Sequence, residues 1–313
     1  MSVISYLTTI RFAFGAIEGL GGDLRDLNIR APLLVADQGL VSAGLVTRVL
    51  DAIPVHRDAP VFSGTPTNPT EEAVEAALAL YRLHACDGII ALGGGSPMDL
   101  AKAVALLATH PGPLEPYALI LGGLSHITAA VAPVVAIPTT AGTGSEVGRG
   151  ALITLRDGRK LGFISSHLIP KRAICDPELT LGLPPRMTAA TGMDAITHCI
   201  ETYLSPHDNP VAEAIALDGL KRAVRNIEHA VAEGSNRDAR REMMIAALHG
   251  GLTFQKGLGA VHALSHPLGG LKELSLHHGM LNAVLLPAVL RFNEPHAGKK
   301  YDVIQETDRK SVV

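Results

Sequence analysis

The sequence predicts an α/β fold, with a Rossmann-like parallel-sheet domain over residues 1–183 and an all-helical domain over residues 184–313. Apolar runs typical of buried parallel strands alternate with helical patterns in the first part of the chain. Pro184 and Pro185 then interrupt the chain, and mainly helical patterns follow. A chain of 313 residues is long enough for two such domains.

Composition excludes several classes of protein. Hydrophobic residues make up 47% of the chain and the mean hydropathy is +0.25, which excludes a disordered protein. A net charge of −3 provides no basic surface for nucleic acid or an anionic membrane. No apolar run is long enough to span a bilayer and no signal-peptide pattern opens the chain, so we expect a cytoplasmic protein that acts on small molecules.

The three cysteines, Cys86, Cys175 and Cys199, lack C-x-x-C spacing. This pattern predicts neither a disulfide framework nor a zinc knuckle. We expect buried free thiols in a reducing compartment.

The first clear strand covers residues 32–37 and ends in Asp37. The carboxyl end of a buried parallel strand faces the ligand crevice of such folds, where Asp37 could accept a ribose hydroxyl. Alternatively, Asp37 caps the helix that follows.

The pattern of residues 70–81 predicts a helix with Thr70 as its cap residue, and a predicted strand at residues 88–92 leads into three glycines, Gly93 to Gly95. We expect Ser96 to cap the next helix and Pro97 to be its first residue. Glycine backbone amides beside a helix N-terminus form an anion site suited to a pyrophosphate. For the side chains of Ser96 and Asp99, a simple capping box is the alternative.

Residues 134–138 predict another buried strand, and the loop at 139–146 that follows is rich in Thr, Ser and Gly. Such a loop favours ligand binding over a plain connection. Two further strands, 151–155 and 160–164, flank turn residues and predict a hairpin.

Asp194 and His198 lie four residues apart in a helical pattern and therefore share one helix face. Such a pair alone is more often a surface pair than a metal site. However, His262 and His266 repeat the spacing, and two more histidines, His277 and His278, follow. One Asp and two or three His form a site for a divalent ion, so we expect residues 184–313 to be a helical metal-binding and catalytic domain.

These residues lie in motifs that resemble those of the iron-containing (group III) alcohol dehydrogenase family. The motifs are GGGSPMD (93–99), PTTAGTGSE (138–146), DPEL (176–179), GMDAITH (192–198), HALSHPLG (262–269) and HGMLN (278–282). Other segments are similar to the family's NAD-dependent 4-hydroxybutyrate dehydrogenases, namely DGRKLGF (157–163), AATGMD (189–194), FQKGLG (254–259) and LHHG (276–279).

The resemblance implies a dehydroquinate synthase-like fold and a set of site residues. It implies the metal ligands Asp194, His198, His262 and His278, with His277 as a substitute for His278, and it places His262 and His266 at the catalytic centre, His266 beside the nicotinamide and substrate. The implied NAD-binding residues are Asp37, Gly94, Gly95, Ser96, Asp99, Thr139, Thr140, Thr143 and Lys160. The negative charge of Asp37 would disfavour NADP.

The expected reaction is reversible hydride transfer between NAD and a small primary alcohol, with 4-hydroxybutyrate and succinate semialdehyde as the expected pair. The metal would act as a Lewis acid, and the resemblance favours Fe²⁺, although Zn²⁺ suits the ligands equally well. Arg149 and Lys272 are candidates to bind the substrate carboxylate. We also expect a homodimer.

Three alternative functions remain open from the sequence. One is another short-chain alcohol dehydrogenase or lactaldehyde reductase of the same family, and a second is the chemistry of the related glycerol dehydrogenases and dehydroquinate synthases. The third is an inactive nucleotide-binding fragment. The family pattern fades after Asn293, so we expect a C-terminally truncated chain.

Overall fold

The computed structural model describes residues 8–271 and 276–308, which form two compact units. The first, called the sheet unit, contains residues 8–139 and Ser145–Leu179. The second, called the helical unit, contains Thr140–Gly144 and the residues from Thr180 onward. The sequence-based limits of 1–183 and 184–313 stay a prediction.

The sheet unit is built on eight strands. They are β1 (Thr9–Phe12), β2 (Pro32–Val35), β3 (Val61–Phe62), β4 (Gly88–Gly93), β5 (Val134–Pro138), β6 (Gly150–Thr154), β7 (Lys160–Ile164) and β8 (Arg172–Cys175). Six of them form a parallel sheet in the order β1-β8-β5-β4-β2-β3. Strands β6 and β7 pair antiparallel as the predicted hairpin.

Helices cover both faces of the parallel sheet. The helices of this unit are α1 (Leu20–Asp26), α2 (Gln38–Ser42), α3 (Leu45–Asp51), α4 (Glu71–Leu83) and α5 (Gly95–Thr109). Leu33 and Val35 of β2 pack in the core on the side of α4 and α5, whereas Leu34 of β2 and Ala36, which directly follows the strand, pack in the core beside α1 and α3. Burial on both faces explains why the strands are continuous apolar runs, and it confirms the predicted parallel sheet.

The strand order reverses between β2 and β4. The chain runs from β2 outward to β3, then returns to the other side of β2 and continues through β4, β5 and β8. Ligands of open parallel sheets bind at such a switch point, outside the carboxyl ends of the strands. Asp37 follows β2 and the glycine turn follows β4, so both lie at this position.

Helix α5 begins two residues earlier than the sequence suggested. Its first residue is Gly95 and its N-cap is Gly94, so the predicted start at Pro97 is wrong. Gly93 has φ +144°, a value that lets the chain turn directly out of β4. The helix therefore starts as soon as the strand ends.

The predicted capping role of Ser96 is also wrong. No side chain caps α5, and the Ser96 hydroxyl instead donates a hydrogen bond to the carbonyl of Thr67. The Asp99 carboxylate accepts hydrogen bonds from the Ser145 hydroxyl (2.8 Å) and the Leu152 amide (3.0 Å) rather than forming a capping box. Tertiary partners have replaced the local cap.

The helical unit contains only helices and loops within its described residues. Its helices are α6 (Pro185–Leu204), α7 (Pro210–Ala232), α8 (Arg237–Leu252), α9 (Ala260–Gly269), α10 (His278–Ala297) and α11 (Lys299–Asp308). Helix α6 starts at the predicted proline break and packs against α7, α8 and α10. Across the described part of the chain, no helix combines the length and apolarity that a membrane span needs.

A buried arginine fixes the start of α6. Arg240 on α8 is 2% exposed and donates to the hydroxyl of Thr188 (2.8 Å) and the carbonyls of Leu183 (3.0 Å) and Gly234 (2.9 Å). A buried guanidinium is tolerated only when its donors are satisfied. These bonds therefore hold the beginning of α6 against α8.

Replacing Gly93 by Ala should destabilise the sheet unit. An added Cβ would lie 2.7 Å from Pro97 Cγ on a backbone with positive φ, so we expect a loss of about 3 kcal/mol from strain and overpacking. Gly158→Ala is the control, because Gly158 also has positive φ but no atom within 4 Å of the added Cβ, and it should cost only about 1 kcal/mol. Urea unfolding measures both, and equal losses would disprove the steric role of Gly93.

Candidate metal centre

Three helices bring one carboxylate and three imidazoles together in the helical unit. Asp194 and His198 lie on α6, His262 lies on α9 and His278 is the first residue of α10. The Oδ1 atom of Asp194 lies 3.6 Å, 3.7 Å and 3.5 Å from the Nε2 atoms of His198, His262 and His278, respectively. We call these four residues the metal cluster.

The other ring nitrogen of two imidazoles is held by a protein acceptor. His198 Nδ1 lies 3.2 Å from the carbonyl oxygen of Gly142, and His262 Nδ1 lies 2.5 Å from Oε2 of Glu201. Since these acceptors require a hydrogen on Nδ1, each Nε2 faces Asp194 with its lone pair when the ring is neutral. The His198 and His262 rings also stack, with centroids 4.6 Å apart.

A glycine next to His278 permits the close approach of α10 to α6. A Cβ built on Gly279 would lie 2.1 Å from the backbone oxygen of Ala190. Any larger residue would push α10 away from α6. The glycine therefore lets His278 reach Asp194.

Burial and neighbouring charge set the protonation of the cluster. Burial alone would raise the pKa of Asp194, but the positive charges of His198, His278 and His262 hold it well below its ordinary value. Burial lowers the pKa of His198 to about 4. Burial also opposes a charge on His262, but Asp194 and Glu201 raise the pKa of His262 to about 9. The cluster thus contains an ionised carboxylate that favours a neighbouring cation.

The metal cluster fits a divalent ion. Ligand atoms that each lie about 2.1 Å from an ion are separated by about 3 to 3.5 Å, close to the 3.5–3.7 Å found around Asp194. The side-chain NH₂ group of Asn282 lies 2.7 Å from Asp194 Oδ1 and 3.1 Å from His278 Nε2. The lone pairs of these two atoms, which would bind a metal ion, thus already attract the positively polarised hydrogens of this group. Three imidazoles and one carboxylate suit Fe²⁺ or Zn²⁺.

The remaining histidines lie at different distances from this cluster. His266 offers a ring nitrogen within 4.8 Å of those of His262 and His278, and its ring stacks on that of His278 with centroids 5.1 Å apart. His277 is the N-cap residue of α10 and is not among the described groups whose ligand atoms converge. The structure therefore brings His278 rather than His277 to Asp194.

Several predicted cofactor-binding residues lie together at the switch point of the sheet unit. The Thr139 amide donates to the Gly93 carbonyl (3.0 Å), which places Thr139 beside the glycine turn. Lys160 Nζ donates to Asn68 Oδ1 (2.9 Å). Asn68 directly follows Thr67, whose carbonyl accepts a hydrogen bond from Ser96 near the glycine turn. Gly94 and Gly95 form the start of α5, where free amides favour an anion.

Asp37 is the N-cap of α2, as the alternative interpretation proposed. Its Oδ1 accepts from the Leu40 amide at 3.0 Å. A ribose contact by the same carboxylate stays a prediction. Asp99 has both carboxylate oxygens bonded to protein donors, so its contact with a cofactor also stays a prediction, and the structure supports a positioning role.

The loop after β5 is divided between the two units. Thr140 and Thr143 lie in Thr140–Gly144, the segment that groups with the helical unit and that supplies the carbonyl of Gly142 to His198. Arg149, a candidate for the substrate carboxylate, is exposed. The other candidate, Lys272, lies outside the described residues.

Sequence reasoning missed three contributors to the two sites. Glu201 lies seven residues after Asp194 on the same helix, and this spacing was a usable signal. The carbonyl of Gly142 carries no sequence signal. Lys102 is fully buried and donates to Ser145 Oγ (2.8 Å) and to the carbonyls of Gly148 and Gly150, so it ties the loop after β5 and the start of β6 to α5. Burial lowers the pKa of Lys102 to about 8.

Comparisons with known proteins agree with this geometry. The model of the iron-containing alcohol dehydrogenase family matches residues 8–177, and the model of the family's C-terminal part matches residues 188–307. The chain is 59% identical over 296 residues to 4-hydroxybutyrate dehydrogenase of Cupriavidus necator, covering 94% of this chain and 77% of that protein.

Two solved structures are also similar. A 1,3-propanediol oxidoreductase has a TM-score of 0.92 and 38% identity, covering 100% of this chain and 81% of its own. Sulfoacetaldehyde reductase of Bifidobacterium kashiwanohense, solved with NAD⁺, has a TM-score of 0.86 and 30% identity, and the match covers 98% of this chain and 85% of the reductase chain.

The chain therefore belongs to the iron-containing alcohol dehydrogenase family. The predicted family and fold are confirmed. It is an oxidoreductase, and neither the inactive-fragment interpretation nor the dehydroquinate synthase chemistry is favoured. The predicted buried free thiols are also confirmed, because Cys86, Cys175 and Cys199 are unpaired and buried.

Replacing His198 by Ala should weaken metal binding by more than about a hundredfold, because a lost ligand should cost more than the tenfold to hundredfold of a lost outer partner. His229→Ala is the matched control, since His229 is exposed on α7. Elemental analysis after dialysis against iron or zinc measures the retained metal. Equal retention by His198→Ala and the unsubstituted chain would contradict the assignment.

Proposed function

We propose that this chain is an NAD-dependent dehydrogenase that interconverts 4-hydroxybutyrate and succinate semialdehyde. The main support for this proposal is the convergence of four side chains in a chain that is 59% identical to a 4-hydroxybutyrate dehydrogenase, namely those of Asp194, His198, His262 and His278. We assign these four residues as ligands of Fe²⁺, with Zn²⁺ as a substitute.

The reaction moves a hydride from the alcohol carbon to nicotinamide and releases the hydroxyl proton. When bound, a divalent ion supplies Lewis-acid chemistry that lowers the pKa of an alcohol. Asp194 provides the negative charge that offsets part of the ion's charge, and it is 3% exposed, so little water screens it. His266, which stacks on His278, is proposed to hold the alcohol hydroxyl on the side of the nicotinamide.

The cofactor residues of the proposal come mainly from the sheet unit. We assign the pyrophosphate to Gly94, Gly95 and Ser96, because α5 starts there with free amides at its positive end. The further assigned contacts are Thr139, Thr140 and Thr143 for the nicotinamide side, Lys160 for a ribose, Asp99 for support of the glycine turn and Asp37 for the adenosine ribose. NAD is chosen because the carboxylate of Asp37 repels a 2′-phosphate and because a related reductase is solved with NAD⁺.

We further propose a homodimer that works in the cytoplasm. Three buried free thiols fit a reducing compartment. Four exposed apolar side chains lie within a short stretch of the sheet unit, at Leu119, Ile120, Leu121 and Leu124, and such a patch favours association. Light scattering of the purified chain measures the oligomeric state.

The substrate is tested by NADH formation with the iron-loaded chain. We expect kcat/KM for 4-hydroxybutyrate to exceed that for 1,3-propanediol, the substrate of a structural relative, by at least about tenfold, which corresponds to 1.4 kcal/mol of differential binding. Lactaldehyde with NADH, butanol and glycerol complete the screen. A metal-loaded chain that prefers 1,3-propanediol would contradict the substrate, and one that oxidises none of the alcohols would contradict the proposed function.

Arg149 is tested through the substrate carboxylate. Arg149→Ala should raise KM for 4-hydroxybutyrate about tenfold but leave KM for 1,3-propanediol unchanged, because only the first substrate carries a carboxylate. The neutral diol is thus an internal control. An unchanged KM for 4-hydroxybutyrate would remove Arg149 from the proposal.

Asp37 is tested by Asp37→Asn, which removes the charge but keeps a side-chain oxygen to cap α2. Activity with NADP⁺ relative to NAD⁺ should rise roughly tenfold, because a like-charge contact with the 2′-phosphate is lost. Asp51→Asn, at an exposed site paired with Arg57, is the control. An unchanged cofactor ratio would show that Asp37 does not face the ribose.

A further inference from the structure

Glu201 connects the two helices that carry most of the metal cluster. It lies on α6 three residues after His198, and only 5% of it is exposed. Its Oε1 accepts a hydrogen bond from the Val261 amide (2.6 Å), and its Oε2 accepts one from Nδ1 of His262 (2.5 Å). Both oxygens are therefore engaged with α9.

The first contact completes the N-terminus of α9. The N-cap residue of this helix is Gly259, which has no side chain to cap the free amides of the first turn. Glu201 supplies the missing acceptor from another helix, and its negative charge favours the positive end of α9. The start of α9 is thus fixed relative to α6.

The second contact fixes the ring of His262. An ionised carboxylate can only accept, so the hydrogen of this bond lies on Nδ1 of His262. When the ring is neutral, Nε2 therefore carries the lone pair, and Nε2 lies 3.7 Å from Asp194 Oδ1. The rotation of the ring and the choice of its tautomer both depend on Glu201.

We propose that Glu201 is a positioning residue that selects the metal-binding tautomer of His262 and holds α9 in register with α6. This inference rests on the proposed metal site. Glu201 acts through His262, so its loss should change metal affinity and ligand geometry even where the fold survives.

Glu201→Gln separates the two contacts. Its amide oxygen can still accept from the Val261 amide, but the NH₂ group then faces Nδ1 of His262 and cannot accept from it. We expect Co²⁺ affinity to fall by about 10- to 100-fold, with a smaller loss of Tm in the metal-free protein than Glu201→Ala causes, because the contact with the Val261 amide is kept. Glu201→Ala removes both contacts and should lower both the Co²⁺ affinity and the Tm of the metal-free protein. Glu242→Gln is the matched control, because Glu242 lies on α8 and pairs with Arg222 and Arg241.

The measurement is titration of metal-free protein with Co²⁺, followed by the visible absorption bands that report ligand geometry. Weaker Co²⁺ binding and altered bands in Glu201→Gln, with a higher metal-free Tm than that of Glu201→Ala and with unchanged binding by Glu242→Gln, support the inference. Unchanged affinity and bands in Glu201→Gln, while His198→Ala loses the Co²⁺ signal, overturn it and leave the metal site intact. Equal binding by His198→Ala and the unsubstituted chain would instead overturn the metal site, and the role of Glu201 with it.

Discussion

The structure of the helical unit depends on one buried carboxylate. Asp194 is almost fully enclosed, and three imidazole nitrogens lie within 3.7 Å of a single one of its oxygens. An isolated buried charge would cost several kcal/mol, so each helix that contacts it must bring a compensating group. Helices α6, α9 and α10 do so. Three further contacts hold the imidazoles around Asp194: the close approach of α10 to α6 at Gly279, the stacking of the His198 and His262 rings, and the bond between Glu201 and His262.

In the sheet unit, the position of the candidate cofactor site follows from the burial of both faces of the sheet. Its parallel strands are covered on both faces, which leaves the carboxyl ends of the strands as the place where backbone amides remain available to a ligand. The strand reversal between β2 and β4 separates the neighbouring connections there, and the glycine turn exposes the start of α5. Lys102 and Asp99 hold the following loop and hairpin in place.

Sequence periodicity predicted the elements whose burial is regular, because strands buried on both faces and a helix that begins at a pair of prolines leave clear patterns. It also predicted that Asp194 and His198 share a face, since that follows from helix geometry alone. It failed at Ser96, where the local preference for a cap was overridden by the carbonyl of Thr67, a partner that is distant in sequence. For the same reason it could not choose between His277 and His278, because the choice depends on how α10 packs against α6.

We propose that Asp194, His198, His262 and His278 together hold one divalent ion. Anomalous diffraction from crystals of the chain loaded with iron or zinc, recorded at the absorption edge of the metal, tests it most directly. We expect a single peak about 2.1 Å from Asp194 Oδ1 and from the Nε2 atoms of the three histidines. A peak held by His266 in place of one of these residues, or the lack of any peak at the cluster in metal-loaded crystals, would contradict it.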